Sequence, residues 1–360
     1  MARSQARGIA SALSGYAWGV NLNNGNSNRN HQDNDNFVRA VCAGECHGRT
    51  LLRDLHTAWR AARRGKKPSP NQLDFDSLWL DKLIELEGEL RTGAWRPAPS
   101  TCFIATQPKA REIHAPDFAD RVVHHWLVPQ LEAAYEPRFI FDSYSNRRGK
   151  GTHAAIERLQ GLVHQVASGQ GGGWYLQLDV ANFFNSIHRP TLYSMLKARM
   201  ERFGLPLIGR QACHALLRQS AAVQGVRYLC SEDERALVPP HKRLENAAPG
   251  CGLAIGNLSS QFFANAYLDA LDQFVKHELR AHRYLRYVDD FVLLHESREQ
   301  LEAWQPAIAA FLRDRLQLEL KADIKLRPLE RGIDFLGYVV FPGRTVVRRR
   351  VSAHAAERLN

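Results

Sequence analysis

The chain has 360 residues, 44% hydrophobic and 24% charged, which is enough for more than one packed subdomain. It contains no apolar run of about 18 residues and no N-terminal apolar stretch with a cleavage site, so neither a membrane span nor a secretory leader is expected. A net charge of +11 suits a polyanionic partner, and six scattered cysteines fit reduced thiols in a cytoplasmic protein.

Residues 1–48 stand apart. Asn21–Asn36 (NLNNGNSNRNHQDNDN) has almost nothing apolar to bury and is expected to be disordered. Cys42, Cys46 and His47 fall short of the four ligands a zinc site needs, and no second pair follows. Globular sequence begins near Thr50, where Leu51, Leu52, Leu55 and Trp59 keep helical spacing. A basic patch of Arg60, Arg63, Arg64, Lys66 and Lys67 follows, closed by Pro68 and Pro70. Leu78, Leu80, Leu83, Ile84, Leu86 and Leu90 mark a second amphipathic helix. Residues 95–116 read as a hairpin with basic side chains, and Phe118–Tyr135 as a helix. Leu176–Val180 (LQLDV) is a strand that ends in a turn and a helix from Arg189 or Pro190. Asn257–Arg280 reads as a long helix, Tyr284–Leu294 as a hairpin turning at an Asp–Asp pair, and Arg298–Leu316 as a helix. Ile333–Phe341 is an apolar strand or tight hairpin. Strands and helices alternate and hairpins occur, so the class is α+β.

Three carboxylates carry the chemistry. Asp289 and Asp290 (YVDD) lie between two apolar runs, where an Asp–Asp pair alone could simply make a turn. Asp179 closes LQLDV in a matching apolar context, just before a Phe–Phe pair, which weakens that bland reading. Acids gathered this way suit two divalent cations about 3.5–4 Å apart, which stabilise an attacking 3′ oxygen and a leaving pyrophosphate together. Hard oxygen ligands favour Mg2+, with Mn2+ as a substitute. Asp179 and Asp289 are expected to bridge both ions, with Asp290 a weaker or more distant ligand and the Val180 carbonyl completing one shell.

LQLDVANFFNSIHRP resembles the first catalytic motif of reverse transcriptases, and RYVDDFVLL resembles the second, in the right order and spacing. GIDFLGYVVF resembles the primer grip, which implies that Phe335, Leu336, Gly337 and Tyr338 hold the primer terminus. The resemblance implies a nucleotide site as well. Phe184 would stand beside the sugar of the incoming nucleotide and disfavour a 2′-hydroxyl. Lys109 and Arg111 (PKAREI) would hold the triphosphate, and Gln261 would lie near the nucleotide or template base. Without the resemblance, Phe184 reads as core, Lys109 and Arg111 as a solvated hairpin edge, and Asn257 or Ser259 as a helix cap. Lys321 and Lys325 in LELKADIKLRP have no clean spacing, so neither is assigned as general acid.

Gly256-Asn257-Leu258-Ser259-Ser260-Gln261 and the following FFANAYLDALDQFVKHEL resemble the reverse transcriptases of diversity-generating retroelements. YAWGVNLNNGNSNRNHQDNDNFVRAV resembles the Asn-rich variable end of the target proteins of such elements, so residues around 16–41 read as a translated template repeat. The expected fold is a right-hand polymerase: fingers, a palm of antiparallel sheet plus helices, and a short or truncated helical thumb. The expected division is 1–48 as the Asn-rich segment, 49–175 as N-terminal helices and fingers, 176–330 as palm with some fingers elements interleaved, and 331–360 as primer grip and start of thumb. The resemblance implies an RNA-dependent DNA polymerase that copies a template-repeat RNA into adenine-mutagenised cDNA. Its partners would be template RNA, cDNA or primer, dNTPs and a small basic, oligomeric accessory protein. The alternatives are a group II intron-like or phage-defence reverse transcriptase and, in another class, a non-catalytic RNA-binding scaffold. A C-type-lectin-like ligand-binding protein would rest on the first 45 residues or so, too few to build that domain.

Overall fold

The computed structural model describes residues 47–349, apart from 66, 108, 170–171 and 219–224. The Asn-rich segment, Cys42, Cys46, Lys66 and Arg350 therefore lie outside the described residues, as does any thumb beyond Arg349. In chain order the first elements are helices α1 (His47–Ala62), α2 (Pro70–Ser77) and α3 (Trp79–Thr92), strands β1 (Thr101–Ala105) and β2 (Arg111–Ala115), and helices α4 (Phe118–Tyr135) and α5 (Thr152–Ala167). Next come β3 (Trp174–Asp179), the one-turn α6 (Phe183–Ser186), α7 (Arg189–Phe203), α8 (Leu207–Arg218), β4 (Arg227–Tyr228) and α9 (Glu232–Ala236). The last are α10 (Leu258–Gln273), which runs on into a π turn at Phe274–Glu278, then β5 (Tyr284–Tyr287), β6 (Asp290–His295), α11 (Arg298–Leu316), β7 (Lys325–Pro328), β8 (Ile333–Phe335), β9 (Tyr338–Phe341) and β10 (Arg344–Val347). The class is α+β, as the alternation of strands and helices with hairpins implies.

The chain forms two compact units. The first takes residues up to Leu131, Met200–Glu245 and Ala254–Ser259. Its sheet has the order β2-β1-β4, with β1 antiparallel to β2 and parallel to β4. Trp59 of α1 stacks on Trp79 of α3 with ring centroids 5.0 Å apart, and its indole N–H donates to Asp76 at 2.8 Å. Leu83, Leu86 and Leu90 of α3 are buried, but Leu78, Leu80 and Ile84 stand 46–54% exposed. The leucine-rich run was expected to bury one face; only its i, i+3, i+7 stripe does so. Gly256 explains part of the Gly-Asn-Leu-Ser-Ser-Gln motif. It sits at φ +120°, and a Cβ there would lie 2.9 Å from the His114 carbonyl, so the backbones can pass only without a side chain.

The second unit takes Glu132–Arg199, Asn246–Leu253 and everything from Ser260. Its main sheet runs β5-β6-β3-β7, all antiparallel, and a separate sheet runs β10-β9-β8. Alternation along the strands splits the apolar residues between two faces. Tyr175, Leu285, Val292 and Leu294 join Ala155, Leu159, Leu162 and Val166 of α5 in a buried core that also takes in Ile333, Phe335 and Val340. Leu176, Leu178, Phe291 and Leu293 point the other way and are equally buried, and α11 packs along β3, β6 and β7. Both faces of β3 and β6 are thus covered, which is why their sequences read as near-continuous apolar runs.

Candidate active site

Register brings the acids together. β3 pairs with β6 along its whole length, from Trp174 opposite His295 to Asp179 opposite Asp290. The β5–β6 hairpin pairs Tyr287 with Asp290, so its two turn residues are Val288 and Asp289. The turn is therefore one residue earlier than the Asp–Asp turn expected from sequence, and Asp290 begins the strand. Beyond β3 the backbone stays close: the Val180 amide donates to the Asp289 carbonyl at 3.3 Å. A bridge to Leu320 follows, made by Ala181 N to Glu319 O (2.7 Å) and Lys321 N to Asp179 O (2.8 Å).

The Val288–Asp289 turn is strained and held by a buried arginine. Val288 has φ +55°, a left-handed conformation that a β-branched residue rarely adopts. Arg286, fully buried, donates to the Val288 carbonyl from Nη1 at 2.8 Å. Its Nε and Nη2 grip Asp272 at 2.8 and 2.6 Å, and Asn265 and Ser143 accept its remaining bonds at 3.2 and 3.1 Å. Burial alone would depress the guanidinium, but Asp272 holds it above its ordinary value. Sequence reading missed Arg286 because its partners lie outside any local pattern.

The charge at the cluster is unbalanced. Burial, helped by the neighbouring Asp179, raises Asp289; burial also pushes Asp290 up to about 7, against the hydrogen bond from Gln177. The Lys321 ammonium donates to Asp179 Oδ2 at 2.5 Å, whereas Lys325 lies in β7 opposite Gln177 and 3.8 Å from Asp323. Lys321, left unassigned from sequence, is thus the cation in contact with the acids. Asp179 Oδ1 is buried and accepts no hydrogen bond among the described residues. No three His, Cys, Asp or Glu side chains among the described residues form a ready-made metal cage. The donor set nonetheless fits a hard divalent ion. An orphaned carboxylate oxygen and two raised carboxyls mark a deficit of positive charge, and Mg2+ takes few protein ligands and fills its shell with phosphate and water.

The remaining expected residues fall as follows. Phe183 is buried and Phe184 is half-buried, their ring centroids 5.5 Å apart, and the Phe184 carbonyl accepts from Leu253 N at 2.8 Å. Gln261 lies half-buried in the first turn of α10. The expected cap is absent: Asn257 Oδ1 has no hydrogen-bond partner among the described residues, and Ser259 Oγ lies within the helix, 3.1 Å from His124 Nδ1. Lys109 is exposed between β1 and β2, and Arg111 opens β2 opposite Ala105; both belong to the first unit. Phe335 is fully buried at the end of β8 and pairs with Tyr338. Leu336 (φ +51°) and Gly337 (φ +88°) make the two-residue turn between them, where glycine suits the second positive φ. Leu336, Tyr338 and Tyr287 all pack against the same core, so the β8–β9 turn and the β5–β6 hairpin share a foundation.

No helix among the described residues is long and apolar enough to cross a membrane. Residues 105–340 match the family described as reverse transcriptase (RNA-dependent DNA polymerase). The chain is similar to Protein YkfC of Escherichia coli strain K12, 21% identical over 290 residues, covering 70% of this chain and 69% of that protein. In three dimensions it is similar to telomerase from Candida albicans, solved with a fragment of telomeric RNA, at a TM-score of 0.45 and 12% identity over 75% of this chain. The match spans about half of that telomerase chain, 51%. With the family match extending over β3, the strained turn and β8, the chain belongs to the reverse transcriptases, the RNA-dependent DNA polymerases.

Proposed function

We propose that the protein is the error-prone reverse transcriptase of a diversity-generating retroelement, copying a template-repeat RNA into cDNA mutagenised at template adenines. The observation that carries the polymerase reading is the pairing of Asp179 with Asp290 beside the Val288–Asp289 turn. Two bound Mg2+ ions, or Mn2+ in their place, would supply stabilisation of the attacking 3′ oxygen and the leaving pyrophosphate. Asp179 and Asp289 would hold them, with Asp290 the more distant ligand and the Val180 carbonyl contributing one oxygen. Lys321 offsets the charge of Asp179 and offers an ammonium to phosphate oxygens. Phe184, half-buried beside a buried Phe183, sets an aromatic wall against a 2′-hydroxyl. Gln261 contacts the nucleotide or template base, and Lys109 and Arg111 contact the triphosphate. The Phe335–Tyr338 turn holds the primer terminus. Residues 49–175 would form N-terminal helices and fingers, 176–330 the palm with some fingers elements interleaved, and 331–360 the primer grip and start of the thumb.

The retroelement subtype rests on the Gly256–Gln261 stretch and on the Asn-rich segment within residues 1–48. It implies template RNA, primer, dNTPs and a small basic accessory protein as partners. The test is primer extension on cognate RNA with the accessory protein, followed by sequencing of the cDNA. Errors concentrated opposite template adenines are expected. Faithful synthesis would discard the retroelement reading and leave the polymerase.

A further inference from the structure

Gln177 lies two residues before Asp179 on β3, and its amide is divided between two structures. Nε2 donates to Asp290 Oδ1 and Oδ2 at 3.2 and 3.4 Å and to the Asp334 carbonyl at 3.1 Å. All three neighbours are acceptors, so the amide nitrogen must face them. Asp290 is the diagonal neighbour of Gln177 across the β3–β6 ladder, where Gln177 pairs with Val292. Asp334 lies in β8, one residue before Phe335 and the turn that follows it. Two residues back along the same face of β3, the Tyr175 hydroxyl donates to the Gly332 carbonyl at 3.2 Å. Side chains at 175 and 177 therefore hold carbonyls at 332 and 334. The strand that carries Asp179 is laced to the strand that leads into the β8–β9 turn at matching two-residue steps. Of the two links, only Gln177 also touches a carboxylate of the acid cluster, and it is 7% exposed, so water competes little for its amide.

We propose that Gln177 is a positioning residue that couples the seating of a primer terminus on the β8–β9 turn to cation binding at Asp290. This rests on the reading of Asp290 as a metal ligand and of Phe335–Tyr338 as the primer grip. The Asp334 carbonyl and the Asp290 carboxylate share one donor group. A displacement of β8 by a bound primer end changes how firmly the amide holds Asp290, and with it the orientation that carboxylate offers to a cation. Mutating a group that orients a ligand in this way typically costs about 10–100-fold in metal affinity or activity.

The test is Mn2+ titration followed by electron paramagnetic resonance of the free ion. It uses wild type, Gln177→Met, Gln177→Asn and Asp290→Asn, each with and without a primer–template duplex ending in a dideoxynucleotide. Melting temperatures of the metal-free proteins serve as folding controls. Methionine keeps the length and loses the amide; asparagine keeps an amide one methylene too short to span both acceptors. Wild type is expected to bind Mn2+ more tightly with duplex present. Both Gln177 variants are expected to bind about tenfold more weakly and to lose most of the duplex-induced gain. In steady state they should lose kcat with little change in the KM for dNTP. If Asp290→Asn binds Mn2+ like wild type, the metal reading of Asp290 fails. If Asp290→Asn weakens binding but both Gln177 variants, correctly folded, retain wild-type affinity and the duplex gain, the coupling alone is overturned.

Discussion

As a proposed metal ligand, Asp290 meets two opposing demands. Folding shields its carboxyl and sets it opposite Asp179, which raises it to about 7, whereas a metal ligand must be ionised. In the unfolded chain the same group titrates near its ordinary value, about 4. Between about pH 4 and 7 the folded chain holds a proton that the unfolded chain has released, so stability falls as pH rises through that window and stays lower above it. Asp290→Asn removes the penalty. The metal-free variant is expected to melt about 2–4 °C above wild type near pH 8, with the difference gone near about pH 3, below the titration of the unfolded carboxyl. Calorimetry that finds equal melting temperatures near pH 8 would contradict this. Lys321→Gln removes an ammonium that competes with a cation for Asp179, and should lower the Mg2+ needed for half-maximal activity severalfold. A wild-type Mg2+ dependence in that variant would show that Lys321 does not tune the acids. The three acids were legible in the sequence because each sits in a local motif between apolar runs. Lys321 was not, because its contact spans 142 positions and its spacing within LELKADIKLRP says nothing of where the loop returns.

Among elements, the β5–β6 hairpin holds a strained conformation. Its Val288 stands at positive φ, and the carbonyl of that residue is pinned by a buried arginine that answers to Asp272 on α10. Arg286→Met would leave Asp272 buried without its partner and release the turn. A loss of roughly 3–5 kcal/mol is expected in urea denaturation, partly recovered by adding Asp272→Leu. An unchanged midpoint for the single variant would mean the pair does not support the turn. The bounds of α11 were readable from helical periodicity, because it buries one continuous stripe of Leu301, Trp304, Ile308, Leu312 and Leu316, and those of α4 from its length and apolar content, because it is buried around most of its circumference. The position of the turn was not, since the strand period of two places side chains on faces but cannot say which two of Val288, Asp289 and Asp290 reverse the chain. Arg286 escaped for a related reason: a lone arginine in an apolar strand looks like an edge residue until its partner on another element is known.

At the scale of the molecule, the family match over residues 105–340 agrees with what the two motifs implied. The passage of the chain between units, back to the first at Met200–Glu245 and again at Ala254–Ser259, left no mark in local composition. It is set by long-range packing that no window of sequence contains. The net charge of +11 predicts a salt-sensitive grip on RNA. Affinity for template should fall at least about tenfold between roughly 50 and 200 mM salt, measured by fluorescence anisotropy, and a flat response would remove the electrostatic reading. RNA-templated DNA synthesis by the acids at the β3–β6 junction is the proposed activity. Its most direct test is primer extension on an RNA template with dNTPs and Mg2+, comparing wild type with Asp289→Ala at matched folding and RNA affinity. Extension by wild type, reduced at least about a thousandfold in the variant, is the predicted result. Equal extension by both, or none by folded, RNA-bound wild type with its accessory protein present, would contradict it and favour an RNA-binding scaffold.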